Sequence, residues 1–409
     1  MVIEVVSFRE STFKEIMDVL YRSLEDYSLQ EGLRRTMANL VPAPYRVLAN
    51  WSYIARLAEE IRGVKEEVIR NIDYYIDLTI KNVKAYARGE GFYARTREDV
   101  YRIIDSILED HKRRMIIVKA KSMVTEELKL REYLIEKGHE VYETDLGELL
   151  IQLSGDKPMH AIGPAIHIPK ERAVMLTSKL GIKLARDAGH EDIVRGVREF
   201  LREKFVKADV GISGANAVAA DTGSIVLVEN EGNIRLSTSL PPVHIAVTGI
   251  EKIMPTLDYA IKQAIVQSGY AGLYPPTYLT VISGPSSTAD IEFHRVYGAH
   301  GPHKFYLILY DGGRRMAVEH PYLWEQLLCI KCGRCQGECP IWELTANNWG
   351  GNVYGGPMGL AWTAIVEDKV KASHLALLCL ECGLCKEVCP MKIDMPRIAH
   401  ILKRELWQS

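Results

Sequence analysis

Apolar residues at Ile54, Leu57, Ile61, Val64, Val68, Ile72 and Ile76 recur every three or four positions, the period of one helical face. Arg56, Glu59, Glu60, Lys65 and Glu66 fall largely outside that stripe and are expected in solvent. Gly89 and Gly91 close the stretch, and a second amphipathic pattern over 95–109 predicts another helix, so residues 1–110 read as a helical N-terminal region. The texture then changes. Short β-rich runs at 115–118, 225–228, 245–248, 279–283 and 305–309 alternate with helical patterns at 125–137, 193–205 and 253–268. Strands separated by helices predict an α/β domain with a largely parallel sheet, placed at 111–312 and closed by the turn Asp311, Gly312, Gly313. Residues 313–409 predict short helices around cysteine groups, with a Gly-rich loop over 349–357 between them.

Composition narrows the function. Lys and Arg number 51 against 53 Asp and Glu, a net charge of −2, which argues against nucleic-acid binding by bulk charge. No apolar run approaches the roughly 18–20 residues that span a bilayer, and the string MVIEVVSFRESTFKE at the start lacks the pattern of a signal peptide. The reading is a soluble, cytoplasmic chain, with docking at a membrane through a partner left open. Its eight cysteines all fall in the last 81 residues. Clustered at short spacing rather than scattered through a small secreted domain, they point to metal and to a reducing compartment.

The two groups are CIKCGRCQGECP at 329–340 and CLECGLCKEVCP at 379–390. Both follow C-x2-C-x2-C-x3-C-P, the run that holds [4Fe–4S] clusters in bacterial-type ferredoxins. Three thiolates at two-residue gaps wrap one face of a cubane, and Gly333 and Gly383 let the backbone come close. The fourth cysteine, followed by proline, turns toward the other cluster, so ligation is predicted to cross. Cys329, Cys332, Cys335 and Cys389 then hold one cluster, and Cys379, Cys382, Cys385 and Cys339 hold the second. Structural zinc would use two cysteine pairs per site, which is not how either run is spaced. Between Cys339 and Cys379 lie 39 residues with helical patterns at 341–344 and 361–371, so the module resembles the α-helical ferredoxin of respiratory electron-transfer subunits. Such clusters pass single electrons and make no bonds themselves. Lys331, Arg334 and Lys386 beside them are candidates to raise cluster potentials or to meet an acidic partner.

Further strings mark the central domain: KAKSMVTEE at 119–127, ETDLGE at 143–148, PAIH at 164–167, GISGAN at 211–216, DTGS at 221–224, SGPSSTADI at 283–291 and GAHGP at 298–302. With the cysteine runs, and in the same order from about residue 30 onward, they resemble the lactate-utilisation iron–sulfur proteins of the LutB type. The resemblance implies a central LUD domain, similar in fold to the sugar-phosphate isomerase (NagB/RpiA-like) and CoA-transferase superfamily. It also implies an electron-transfer subunit of a multisubunit oxidoreductase that takes lactate to pyruvate. Its two [4Fe–4S] clusters would lead to a carrier or quinone, beside a flavin-containing or cysteine-rich CCG-domain partner. The sequence departs from the pattern at Asp221, where Glu is expected, at Ser287, where Arg is expected, and in ending about 20 residues after Cys389. A lost Arg removes a candidate carboxylate clamp. Two alternatives stay open: a subunit of a heterodisulfide-reductase-like or other redox complex, and a LUD-domain enzyme with CoA-transferase-like chemistry.

Glycine turns near strand ends leave N–H groups free for an anion, which makes 211–215, 221–224 and 284–288 candidate loops around one pocket. Its candidate residues are Gly214, Asp221, Thr222, Ser286 and Thr288, with Arg235 to pair a small carboxylate and His244 or His300 to move a proton. No catalytic residue is assigned. None of the strings is G-x-G-x-x-G or a Walker A loop, so no tightly held NAD, FAD or ATP is expected.

Overall fold

The structure is a computed structural model and describes residues 2–109 and 113–408. The strands described are β1 Glu90–Ala94, β2 Ile116–Lys119, β3 Glu140–Glu143, β4 Val210–Ser213, β5 Ala217–Ala219, β6 Ser224–Glu229, β7 Val243–Gly249, β8 Ile253–Met254, β9 Tyr278–Ile282, β10 Ser287–Thr288, β11 Val296–Tyr297 and β12 Lys304–Tyr310. Six form a wholly parallel sheet in the order β1-β12-β7-β4-β2-β3. A second sheet, β8-β5-β6-β9, has antiparallel β5–β6 and β6–β9 pairs. The runs at 225–228 and 279–283 therefore pair with each other in the second sheet. The helical pattern at 253–268 opens as β8 and turns helical only over Leu257–Tyr270. The pattern at 125–137 splits into Met123–Glu127 and Leu130–Glu136, because Lys129 between them takes a positive φ of 48°.

Winding sets where a ligand can sit. The chain passes from β2 to β3 on one side, then crosses back to place β4 on the other side of β2. In open parallel sheets the crevice at such a reversal, outside the carboxyl ends of the strands, is the usual binding place.

The N-terminal stripe forms as expected. Ile54, Ile61, Val68, Ile72 and Ile76 are all buried, on the helices Tyr53–Arg70 and Ile72–Ala85. Two features depart from the sequence reading. β1 lies inside the stretch read as helical and pairs with β12 at the sheet edge, so the parallel sheet recruits part of it. The boundary at 110/111 falls outside the described residues. Lys65, expected in solvent, is buried, since its ammonium donates to the Glu251 carbonyl at 2.7 Å.

One apolar cluster runs from Leu29 and Ile54 through Val218 and Val226 of the second sheet to Leu327, Trp342, Trp362 and Leu402 around the cysteines. The α/β part and the cysteine-bearing part thus share a core, which removes much apolar surface from water at their junction. In the C-terminal part, the pattern at 361–371 divides into the helices Gly356–Val366 and Lys369–Ala376, the second capped by Asp368, which accepts from the Lys371 N–H at 2.6 Å. Among the described residues no helix is long and apolar enough to cross a membrane.

Candidate metal centre

Each cysteine run repeats one local geometry. Lys331 and Glu381, third in their runs, take positive φ values of 59° and 53°, and Gly333 and Gly383 follow at 74° and 86°. This curl aims the Lys331 N–H at Cys329 Sγ, 3.4 Å away, and the Glu381 N–H at Cys379 Sγ, 3.5 Å away. Short helices Arg334–Gly337 and Leu384–Glu387 then carry Cys335 and Cys385. After Cys339 the helix Pro340–Thr345 starts on its proline, a position where the missing N–H costs nothing.

The fourth cysteines change sides. Cys329, Cys332, Cys335 and Cys389 line one cavity of about 30 Å3, and Cys339, Cys379, Cys382 and Cys385 line another of about 20 Å3. Cys385 and Met395 border both, so the two are neighbours. Among the described residues no three Cys, His, Asp or Glu side chains gather closely enough for a single metal ion. The thiols ring a void, an arrangement that suits a multi-iron cubane rather than a tetrahedral zinc. Further backbone N–H groups favour the thiolate forms: Arg334 for Cys332, Ile341 and Trp342 for Cys339, and Met391, Lys392 and Ile393 for Cys389. Burial pushes Cys339 and Cys389 up to about 11, and Cys332, Cys335 and Cys385 higher still, so iron must displace protons from them. The donor set and its hydrogen bonds fit two four-thiolate clusters.

A buried charge network surrounds the first cavity. Glu251 accepts from Arg314 Nε at 2.6 Å and from Lys331 Nζ at 2.7 Å. Arg314 also grips Glu127 at 2.7 and 3.1 Å, and the Tyr354 hydroxyl donates to Glu127. Burial alone would raise the Glu251 carboxyl, but Arg314, Lys331 and Lys252 outweigh it and hold it well below the usual carboxylate range. Lys65, Lys252, Lys331 and Arg314 are all buried, and the carboxylates paired with this group among the described residues are Glu127 and Glu251, while burial pushes Lys65 down to about 8 and Lys252 to about 7. That cationic excess complements the net negative charge of a thiolate-bound cluster. Arg334 is also buried, paired with Glu338 at 2.9 Å, whereas Lys386 stays partly exposed against Asp394 at 2.6 Å.

Next to this network lies a crevice of about 340 Å3. It is bounded by Lys121 and Ser122 after β2, Ser213 and Gly214 at the end of β4, and Lys252 in the turn after β7; Lys331 and Cys332 of the first run also line it. At Gly214 a Cβ would stand 2.7 Å from Ser122 Oγ, so only glycine lets these two loops approach so closely.

The structure does not gather the eight pocket candidates. Gly214 lines the crevice. Asp221 and Thr222 sit in the β5–β6 turn against Val83, where the Asp221 N–H donates to the Pro255 carbonyl at 3.1 Å. Arg235 lies over the Tyr278 ring at 3.9 Å, beside Glu229. Ser286, Thr288 and His300 belong to the outlying segment around the β10–β11 pair; Thr288 spends its hydroxyl on Asp290, and His300 is exposed. His244 is buried inside the sheet with a ring nitrogen 2.8 Å from Ser213 Oγ. Sequence reasoning assigned no role to Lys121, Lys252, Asn216 or Gln267, which do line the crevice. Lys121 and Asn216 lie within the quoted strings, but nothing local distinguishes Lys252.

Burial also pushes His244 down to about 3, so it stays neutral in the fold. The unfolded chain takes up that proton near pH 6.5, so the stability His244 allows is complete above that pH and is lost as pH falls toward 3. Burial raises Glu143 to about 8 and Glu148 and Glu231 to about 7, which tilts the whole-protein profile the other way. The test is therefore a difference. The stability gap between the wild type and His244→Gln, measured by urea unfolding, should narrow by about 1.4 kcal/mol between pH 7.5 and 5.5. A constant gap would refute a neutral buried His244.

Comparison with known proteins adds two family matches. Residues 76–310 match the LUD domain, and residues 325–393 match the 4Fe-4S dicluster domain. The lactate utilization protein B of Bacillus licheniformis is 36% identical over 81% of this chain and 66% of its own length. That of Shouchella clausii is 34% identical over 86% and 73%, and that of Bacillus subtilis 35% over 76% and 62%. The chain thus spans about two thirds of the length of these relatives. A solved DUF162 family protein from Deinococcus radiodurans aligns with 53% of the chain at 14% identity and a TM-score of 0.22, too weak a likeness to carry an argument.

Proposed function

We propose that this chain, which belongs to the lactate utilization protein B family, is the electron-transfer subunit of an oxidoreductase that converts lactate to pyruvate. Cys329, Cys332, Cys335 and Cys389 are assigned to one [4Fe–4S] cluster, and Cys379, Cys382, Cys385 and Cys339 to a second. The observation that carries the reading is the adjacency of two thiol-lined cavities, both bordered by Cys385 and Met395. When bound, the clusters supply one-electron transfer between a partner and a carrier or quinone.

The chain's own residues do the rest. Met358, Met391 and Ile393 wall the first cavity from water, and Lys65, Lys252, Lys331 and Arg314 set a positive field there that favours its more negative, reduced state. Around the second cavity, Cys382 is exposed and flanked by the exposed Leu380 and Leu384. That edge is where we dock a flavin- or CCG-domain partner, with Lys386 close by for an acidic surface. The helical N-terminal region, the LUD domain matched over residues 76–310 and the ferredoxin module act as one cytoplasmic unit. The LUD part, likened to the sugar-phosphate isomerase and CoA-transferase fold, serves as its scaffold.

An anaerobic visible spectrum of the complex from its own host, taken before and after lactate, tests the reading. Lactate should bleach the iron–sulfur absorption. Bleaching by dithionite but not by lactate would overturn the lactate assignment and leave the clusters standing.

A further inference from the structure

Passing electrons between the two cysteine cavities gives the neighbouring crevice nothing to do, yet its position is that of a binding site. It lies where the winding of the parallel sheet reverses, between the segments that follow β2 and β4, and Cys332 forms part of its wall. Lys252 lines it at only 4% exposure. Burial pushes the Lys252 amine down to about 7, and its Nζ makes one long hydrogen bond, 3.5 Å to the Ile330 carbonyl, with no ion pair within 4.0 Å among the described residues. An ammonium carries three N–H donors, and burying donors without acceptors is costly. A nearby cluster offsets the charge of Lys252 but leaves its remaining donors without acceptors.

We infer that the crevice binds a small carboxylate anion whose oxygens accept from Lys252 beside Cys332. Asp145, Glu229 and Glu231 line the same crevice and disfavour further negative charge, which selects a monocarboxylate over a nucleotide or polyphosphate. The anion site rests on Lys252 and the crevice, whereas the choice of a three-carbon 2-hydroxy or 2-oxo acid rests on the lactate-utilisation reading above. An anion held beside Cys332 opposes addition of an electron to the first cluster. By linkage, the reduced protein then binds the anion more weakly.

Equilibrium dialysis of the oxidised holoprotein against labelled pyruvate tests this, with lactate, acetate and inorganic phosphate as competitors. One pyruvate per chain should bind, displaced by lactate and not by phosphate. Lys252→Met should weaken binding about tenfold or more while Lys252→Arg largely keeps it, with cluster absorption reporting that each variant is assembled. Dithionite reduction of the wild type should lower the affinity severalfold, a readout that stands even if Lys252→Met fails to fold. The inference is overturned if pyruvate does not bind, if an assembled Lys252→Met binds it as well as the wild type, if reduction leaves the affinity unchanged, or if phosphate is preferred. Lactate-dependent bleaching in the complex is scored separately, so either result can fail while the other holds.

Discussion

Combining Cys335→Ser with Cys389→Ser should halve the bound iron, whereas combining Cys385→Ser with Cys389→Ser should damage both iron–sulfur signals. The distinction comes from the fourth cysteines. Cys389 lines the first cavity and not the second, while Cys339 lines the second and not the first. Under crossed ligation, the Cys335/Cys389 pair strips two thiolates from one cluster and leaves its neighbour whole. Iron should then fall from about eight to about four atoms per chain, with one set of reduced-state resonances left. The Cys385/Cys389 pair takes one thiolate from each cluster. Uncrossed ligation predicts the reverse assignment, so iron analysis and electron paramagnetic resonance on the two double variants decide between them. Since the thiols sit in the main apolar core, the damaged variants should also lose thermal stability.

Ligand spacing is a local property of the chain, which is why the cysteine runs could be read from it. The same holds for the stripe from Ile54 to Ile76, whose period needs no knowledge of what covers it. Long-range pairing is another matter. Nothing around Glu251 and Lys252 separates a solvated turn from a buried network, because the partner Arg314 is 63 residues from Glu251 and 187 from Glu127. Lys65 was misplaced for the same reason, as its acceptor is 186 residues away. β1 and β8 were missed because they are short and gain their order from β12 and β5 beside them. The pocket candidates other than Gly214 lie apart from the crevice for a different reason. Glycine turns mark bends, and the bends at 221–224 and 284–288 lead away from the crevice, while the one at Gly214 leads into it.

Arg314→Met should be the most damaging single change outside the cysteines, while Arg315→Met next to it should be almost silent. Arg314 is fully buried and satisfies two carboxylates at once, Glu127 through both terminal nitrogens and Glu251 through Nε. Its guanidinium also lies 5.0 Å from the Trp362 ring. Methionine fills much of the volume but leaves the buried Glu127 carboxylate without a cation and Glu251 with Lys331 alone, a loss of about 3–5 kcal/mol, set against a typical total stability of about 5–15 kcal/mol. Arg315 pairs with Asp73 at the surface, both side chains about half exposed, and such pairs contribute about 0–1 kcal/mol. Heating each variant while following cluster absorption gives the comparison. Arg314→Lys should fall between, because it keeps the charge and loses the two-pronged grip. The decisive control is the double variant Glu127→Gln, Arg314→Met: removing the orphaned charge should recover much of the loss, as expected if that charge, and not a cavity, caused it. A second readout follows from position. Arg314 balances Glu251, and Glu251 in turn binds Lys331 beside the first cavity, so an assembled Arg314→Met should lower the first cluster's potential and leave the second unchanged. Equal heat stability of the two single variants, or equal shifts at both clusters, would show that this network neither holds the two parts together nor tunes the first centre.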